Sequence, residues 1–440
     1  MSDALPLPPR PNLEQYRKLA KDLHRACKSG DPAILEWAAH WAETLAKLRE
    51  REMTPELQRE LRRGTQRLAH LWGKMHRKTQ PAVPCSLSGA QFFIARAHGF
   101  KSWPEFTAHL EALARDNSAA SQFEKAVDAI VRGDADTLQA LLRANPKLVR
   151  ERSAREHRST LLHYVSANGV EDFRQKTPPN IVEIARLLLD AGADVDAESD
   201  AYGGRSATLG LTATSCHPED AGVQRPLMEL LIEHGAAIDP PNGGSAVNDC
   251  LHNGRGQAAE FLADRGARLD LEAAAGVGRL EVVQSFFDAT GTLKPTFTPK
   301  QMVDGFTWAC EFGRTSVVDF LLRQGIGAGA KLPHHGATGL HWAAYEGHSD
   351  TVALLLERGA PVDIRDDSFE GTPLGWALYR WGQFPAGVDR GSHHRVVEVL
   401  VRAGAKLDAS WFEVDDEDRR RSIRKLQSDP RMQAALATVS

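Results

Sequence analysis

Seven glycines punctuate the chain from residue 192 onward, each closing a short apolar segment: Gly192, Gly235, Gly266, Gly291, Gly325, Gly359 and Gly404. Gly291, Gly325 and Gly359 are evenly spaced. The segments these glycines close read "ARLLLDAG", "MELLIEHG", "AEFLADRG", "VDFLLRQG" and "VEVLVRAG", with a weaker "VVQSFFDATG". Apolar residues three and four apart predict one apolar face on a helix. Glycine takes left-handed backbone without strain and so ends it. The fullest unit runs from Gly336 to Asp363. Thr338 opens a first helix, because its hydroxyl can accept an orphan N–H of the opening turn. Leu340, Ala343 and Ala344 make a narrow apolar face, and Gly347 stops it. Val352, Leu355 and Leu356 then share one side of a second helix, ended by Gly359. Helices this short are unstable alone in water, so each pair must bury its faces on other pairs.

A period of about 33 residues with two helices and a turn resembles the ankyrin repeat. The motifs that carry the resemblance are "TGLHWAAYEGH" (Thr338–His348), "GTPLGWALYR" (Gly371–Arg380) and "STLLHYVSANG" (Ser159–Gly169). "FEKAVDAIVRGDADTLQALLRANPKLV" (Phe123–Val149) reads as a degenerate opening repeat. The resemblance covers residues 120–410 and implies an all-α solenoid of about eight repeats, closed by capping helices over 411–440. In "WFEVDDEDRRRSIRKLQSDPRMQAALATV", Trp411, Phe412, Ile423, Leu426 and Met432 supply the apolar face of that cap.

Residues 1–116 lack the period. Asn12 caps "LEQYRKLAKDLHRAC", Asp31-Pro32 and Thr54-Pro55 open two further helices, and Ser102 caps "WPEFTAHLEALARD". "RPNLEQYRKLAKDL" followed by "LSGAQFFIARAHGFKSWPEFTAHLEAL" is similar to a helical module found ahead of ankyrin repeats in bacterial proteins. A small polar stretch, Asn117–Gln122, serves as the joint.

Composition narrows the class. No apolar run approaches the length of roughly 18 residues that a membrane helix needs. The start "MSDALPLPPRPN" has no basic-then-apolar signal pattern, and a cytoplasmic protein is expected. Cys27, Cys85, Cys216, Cys250 and Cys310 are odd in number, scattered and without a C-x-x-C pair, which predicts free thiols and no zinc site. Residues 1–115 carry 19 Lys and Arg against 12 Asp and Glu. The chain as a whole is −4, so the remainder is acidic. A basic module can bind nucleic acid, but its basic residues alternate with glutamate and no DNA-reading motif is present. Nucleic acid is an unlikely partner on that pattern. There is no G-x-S-x-G, phosphate loop or dinucleotide fingerprint, so no cofactor and no metal are expected, and the reading leans away from an enzyme.

The family resemblance implies where a partner would touch: the finger turn before each first helix and the exposed end of that helix. Carried over, it selects His157, Arg158, Asn168, Tyr202, Arg205, His252, Asn253, His334, His335, Tyr345, Glu346, Tyr379 and Arg380. Beside them stand Glu311, Phe312, Phe369 and Trp381. Tyr, Trp and Arg dominate binding hot spots. His163 and His341 sit at the motif position that braces the family's own turn, and Trp308, Trp342 and Trp376 recur where repeats pack. Insertions break the period at 170–180, 217–226 and 381–394. They carry Arg174, His393 and His394, and could wall a groove. The expected function is recognition of a protein or peptide on the concave face. The alternative is a small-molecule or enzymatic groove using His and Glu as acid and base.

Overall fold

The computed structural model describes residues 4–8, 11–48, 55–77, 84–240, 243–333, 335–384, 392–407, 409–413 and 417–437. Among these the fold is all-α, an arrangement of short stacked helix pairs preceded by five helices. The only ladder pairing among the described residues is the isolated bridges Arg152–Thr160, Ser199–Ser206, Phe287–Leu293 and Lys331–Thr338, at finger turns. No described helix is long and apolar enough to cross a membrane. The chain divides into two compact units, Met1–Pro240 and Pro241–Ser440.

The first unit opens with α1 (Leu13–Ser29), α2 (Asp31–Leu48), α3 (Pro55–Arg77), α4 (Leu87–Ala97) and α5 (Trp103–Leu113). Asn12 and Ser102 accept backbone N–H groups of the first turns of α1 and α5, as their side chains predict. The core here is aromatic: Tyr16 meets Trp41 and Phe106 edge-on at 5.3 and 5.0 Å, and Trp72 meets Phe93 at 5.2 Å. Two of the five thiols are not free. Cys27, late in α1, and Cys85, just before α4, form a disulfide with Cα atoms 6.0 Å apart. Their 58-residue separation gave no hint of it; the packing of α4 on α1 brings them together. Cys216, Cys250 and Cys310 are not disulfide-bonded.

Then come α6 (Ala119–Arg132), α7 (Ala135–Ala144), α8 (Ile181–Asp190), α9 (Thr208–Thr214), α10 (Cys216–Asp220) and α11 (Gln224–Glu233). One expected first helix is shortened. Leu161–Ser166 is a 3₁₀ turn, ended by Ala167 in left-handed conformation. The cause is local. Ser166 Oγ donates to the His163 carbonyl at 2.6 Å, the acceptor that an α-helical Ala167 N–H would use.

The second unit stacks α12 (Ala246–His252) with α13 (Gly256–Asp264), α14 (Leu271–Gly276) with α15 (Leu280–Ser285), and α16 (Pro299–Glu311) with α17 (Thr315–Arg323). After these come α18 (Gly339–Glu346) with α19 (Ser349–Glu357), and α20 (Pro373–Gln383) with α21 (Ser392–Arg402). One apolar core runs from Leu271 through Phe306, Leu340, Leu374 and Val396 to Leu426 and Met432. The last two belong to α22 (Glu417–Ser428) and α23 (Pro430–Leu436), which pack on α20 and α21. Gly382 lets α22 come that close: a Cβ there would lie 2.6 Å from the Ser422 Cα.

Candidate binding surface

The last three helix pairs of the second unit are each tied to the one before by the same device. Near the start of a second helix, a side chain reaches back to a carbonyl at the end of the preceding first helix. Arg314 Nε donates to Gly276 at 2.9 Å, His348 Nε2 to Glu311 at 2.8 Å, and His393 Nε2 to Tyr345 at 2.9 Å. These carbonyls have no intrahelical partner, so the brace satisfies them. Gly347 is confined by it, since a Cβ there would meet the His393 ring at 2.8 Å. In the first unit Asn180 Nδ2 does the same for Gly133 at 2.9 Å. Asn180 and His393 both come from inserted loops. These residues turn inward to the stack and do not wall a groove. His394 faces Asp429 of the tail at 3.5 Å. Residues 385–391 of that insertion lie outside the described residues.

The motif histidines are braces as well. His341 Nδ1 accepts the Thr338 N–H at 3.1 Å, so its Nε2 carries the proton and donates to Gly371 at 3.1 Å. His163 does the same with Thr160 and Ser206. Burial lowers both, His163 to about 4, as a ring held neutral between a donor and an acceptor requires.

With the braces turned into the stack, the ends of the first helices and the fingers of the second unit remain. Three registers recur one repeat apart: Trp308, which is buried, with Trp342 and Trp376; Glu311, Tyr345 and Tyr379; Phe312, Glu346 and Arg380. The rings touch in sequence. Trp342 meets Trp376 edge-on at 5.3 Å, Tyr345 meets Trp376 at 5.6 Å, and His252 meets Trp308 at 4.8 Å. The Arg380 guanidinium lies 5.2 Å from the Tyr345 ring centre and pairs with Glu346 at 3.5 Å. The finger before α20 extends the strip. Asp366, itself buried, accepts N–H groups of Ser368, Phe369 and Gly371 at 2.8, 2.6 and 2.8 Å, and the Trp376 indole N–H at 3.0 Å. Burial alone would raise its carboxyl; these donors outweigh it and hold it below the usual range. The loop so fixed projects Phe369, 63% exposed, between His335 at 5.3 Å and Trp376 at 6.4 Å. Phe369 thus joins the rings of the strip to solvent as part of one aromatic patch.

The sequence-selected residues fall into three groups. His335, Tyr345, Glu346, Tyr379 and Arg380 come together in this strip, and His252 and Asn253 stand exposed on α12 and at its end. In the first unit, Arg158, Tyr202 and Arg205 are exposed finger residues, each with positive φ. Tyr202 donates to Asn168 Oδ1 at 2.6 Å, while Asn168 Nδ2 donates to Leu211 and Thr214. His157 is buried, with Nδ1 2.8 Å from Ser159 Oγ. His334 lies outside the described residues.

His157 borders a feature that spacing did not disclose, a buried ion cluster in the first unit. Arg155 joins Glu124 at 2.6 Å and Glu171 at 2.9 Å; Arg174 joins Glu124 at 2.7 Å and Asp128 at 2.8 Å. Burial alone would raise both glutamates. The two guanidiniums prevail and hold Glu124 at about 2 and Glu171 well below the usual range. His109, between Phe100 and Glu124, is lowered by burial to about 4. Arg174 and Glu171 come from the first insertion and are turned into the protein, while Asp172 and Lys176 of the same insertion stay exposed. Among the described residues no group of His, Cys, Asp and Glu could hold a metal ion.

Residues 306–410, the strip and its supporting helices, match the family described as ankyrin repeats (3 copies). That stretch consists of ankyrin repeats. Among solved structures the chain is similar to the ankyrin repeat domain of Bcl-3, a member of the IkappaB protein family. The identity is 20%, the alignment covers 57% of this chain and 92% of that one, and the TM-score is 0.29. No curated protein matches.

Proposed function

We propose that this protein binds another protein, and that the fingers and first-helix ends of residues 306–410 form the concave surface that takes a segment of the partner. The observation that carries the reading is Phe369, an exposed ring on a loop fixed by four bonds to Asp366 and continuous with Trp376, Trp342 and Tyr345. Preorganised side chains lose little entropy on docking. Residues 1–116 are proposed as a separate helical module, 120–410 as the repeats and 411–440 as their cap. The chain is read as bacterial and cytoplasmic on the same footing. Thiol trapping in intact cells tests the compartment: Cys27 and Cys85 both oxidised at steady state would move the protein to an oxidising one.

Co-purification with mass spectrometry identifies the partner, and variants then test the surface. Truncating a hot-spot anchor costs roughly 2 kcal/mol, about thirtyfold in Kd. Phe369→Ala with Arg380→Ala is expected to weaken binding at least that much. Glu357→Ala, an exposed charge on a second helix, leaves it within about twofold. The reverse order in calorimetry would remove the assignment.

A further inference from the structure

We infer that the partner segment carries a basic side chain, Lys or Arg, which docks on the aromatic strip against the Glu311 carboxylate beside Tyr345. The inference rests on the reading of this strip as a protein-binding surface and names what the surface selects.

The strip contains more carboxylates than cations to pair them. Glu346 has Arg380 at 3.5 Å. Glu311, half-buried one pair earlier, has no ion pair or side-chain hydrogen bond among the described residues. On the pair before that, half-buried Glu272 in the first turn of α14 has no ion pair among the described residues; burial, then Asp304 and Asp270, raise it against Lys300 and His252. The chain also shows what a cation does here. Arg380 stacks over the Tyr345 ring at 5.2 Å while pairing with Glu346, so aromatic face and carboxylate already hold one guanidinium together. Glu311, one repeat earlier at the register that Tyr345 holds in its own pair, is near enough to act on the Tyr345 phenol and has no such cation among the described residues. A partner's basic side chain completes the pattern. An acidic peptide or a nucleic acid backbone brings no cation to complete it.

The charge state of Glu311 supplies a signature. Burial first, and the nearby Glu346 second, push it up to about 8, so at pH 7 it holds its proton. The groups facing it are Tyr345, Glu346 and His348 on the next pair, with Arg380 and Tyr379 beyond. A cation docked beside it favours the carboxylate, so docking releases that proton to solvent.

Two blocked twelve-residue peptides serve as probes, identical apart from three lysines in one and three glutamines in the other. Each is titrated into the full chain at pH 7 by calorimetry in phosphate and in Tris, whose ionisation enthalpies differ. The lysine peptide is expected to bind about tenfold more tightly than the glutamine peptide and to release close to one proton. Glu311→Gln, a near-isosteric change, removes both the preference and the release. Glu346→Gln reduces the release, because Glu311 then ionises more readily beforehand; circular dichroism melts confirm both variants are folded. Equal binding of the two peptides, a preference that survives Glu311→Gln, or no binding of either at 1 mM overturns the inference. Equal binding that Phe369→Ala still weakens leaves the protein-binding surface standing without the charge selection. Binding indifferent to Phe369→Ala removes the surface itself.

Discussion

Where the insertion at 170–180 packs into the first unit, it does so with Glu171 and Arg174, fully charged and buried among Glu124, Asp128 and Arg155. Where the insertion at 381–394 packs into the second, its described residues do so with the rings of Trp381 and Phe384 and with imidazoles, His393 donating to the Tyr345 carbonyl. Both give polar residues an inward task, but the energetics differ. A buried charge is tolerable only with every partner in place, and removing one leaves another stranded. An imidazole giving one hydrogen bond to a carbonyl risks only that bond. The first unit is therefore specified by a network that fails as a whole, and the second by repeated bonds that fail singly.

The sharpest way to break the comparison is Arg155→Met, which leaves the buried Glu124 and Glu171 to share one guanidinium, that of Arg174. It is expected to cost about 3–5 kcal/mol, read by urea unfolding of the full chain. A loss below about 1 kcal/mol would mean that the cluster is hydrated and not the keystone described. Next is Gly382→Ala in the second unit, where the added Cβ meets the Ser422 backbone. Overpacking of this kind costs about 1–3 kcal/mol and should expose α22 and α23 to limited proteolysis, with α16–α19 still protected. A single brace comes third: His348→Ala leaves the Glu311 carbonyl without its donor, at about 1–2 kcal/mol. If it equals Arg155→Met in effect, the contrast between network and ladder collapses.

The smallest effect is on pH, and its sign separates the buried histidines of both units from Glu311. Folded His98 and His109 take a proton only near pH 3 and 4, because burial disfavours the charge. Unfolded histidine takes it near 6.5. The stability their neutral state contributes is full above pH 6.5 and is lost as pH falls toward 4. Glu124, held low by its arginines after overcoming burial, loses its contribution in the same direction. Glu311 runs the other way. Its carboxyl ionises near 4.5 unfolded and about 8 folded, so its contribution is full below 4.5 and lost as pH rises through 8. Melting curves from pH 4 to 9 should show the alkaline limb flatten in Glu311→Gln and the acid limb persist.

What could be read from the chain was what a few neighbouring residues decide together. Glycine stops, apolar spacing and the T-x-L-H turn are local, and they located the helix pairs and both motif histidines. The ion cluster was not legible, because Glu124, Arg155 and Glu171 lie far apart along the chain and nothing in their spacing says they meet. Cys27 and Cys85 escaped for the same reason. Charged residues in an insertion read as outward-facing by default, and Arg174 shows the default overturned by partners elsewhere. The finger at 366–371 does carry a local signal. An aspartate followed by serine two residues on and glycine five on is the pattern of a side chain capping its own turn, and it singles out Phe369 as presented.

The back-reaching braces have a direction. Arg314, His348 and His393 each satisfy a carbonyl of the helix pair already behind them in the chain, and Lys425 of α22 does so for Trp381 at 2.8 Å. A pair emerging from the ribosome therefore waits, with an unclosed helix end, for the next to arrive and seal it. Translation order and sealing order coincide, and a nascent chain paused between Gly347 and His393 holds open a helix end that the finished protein closes.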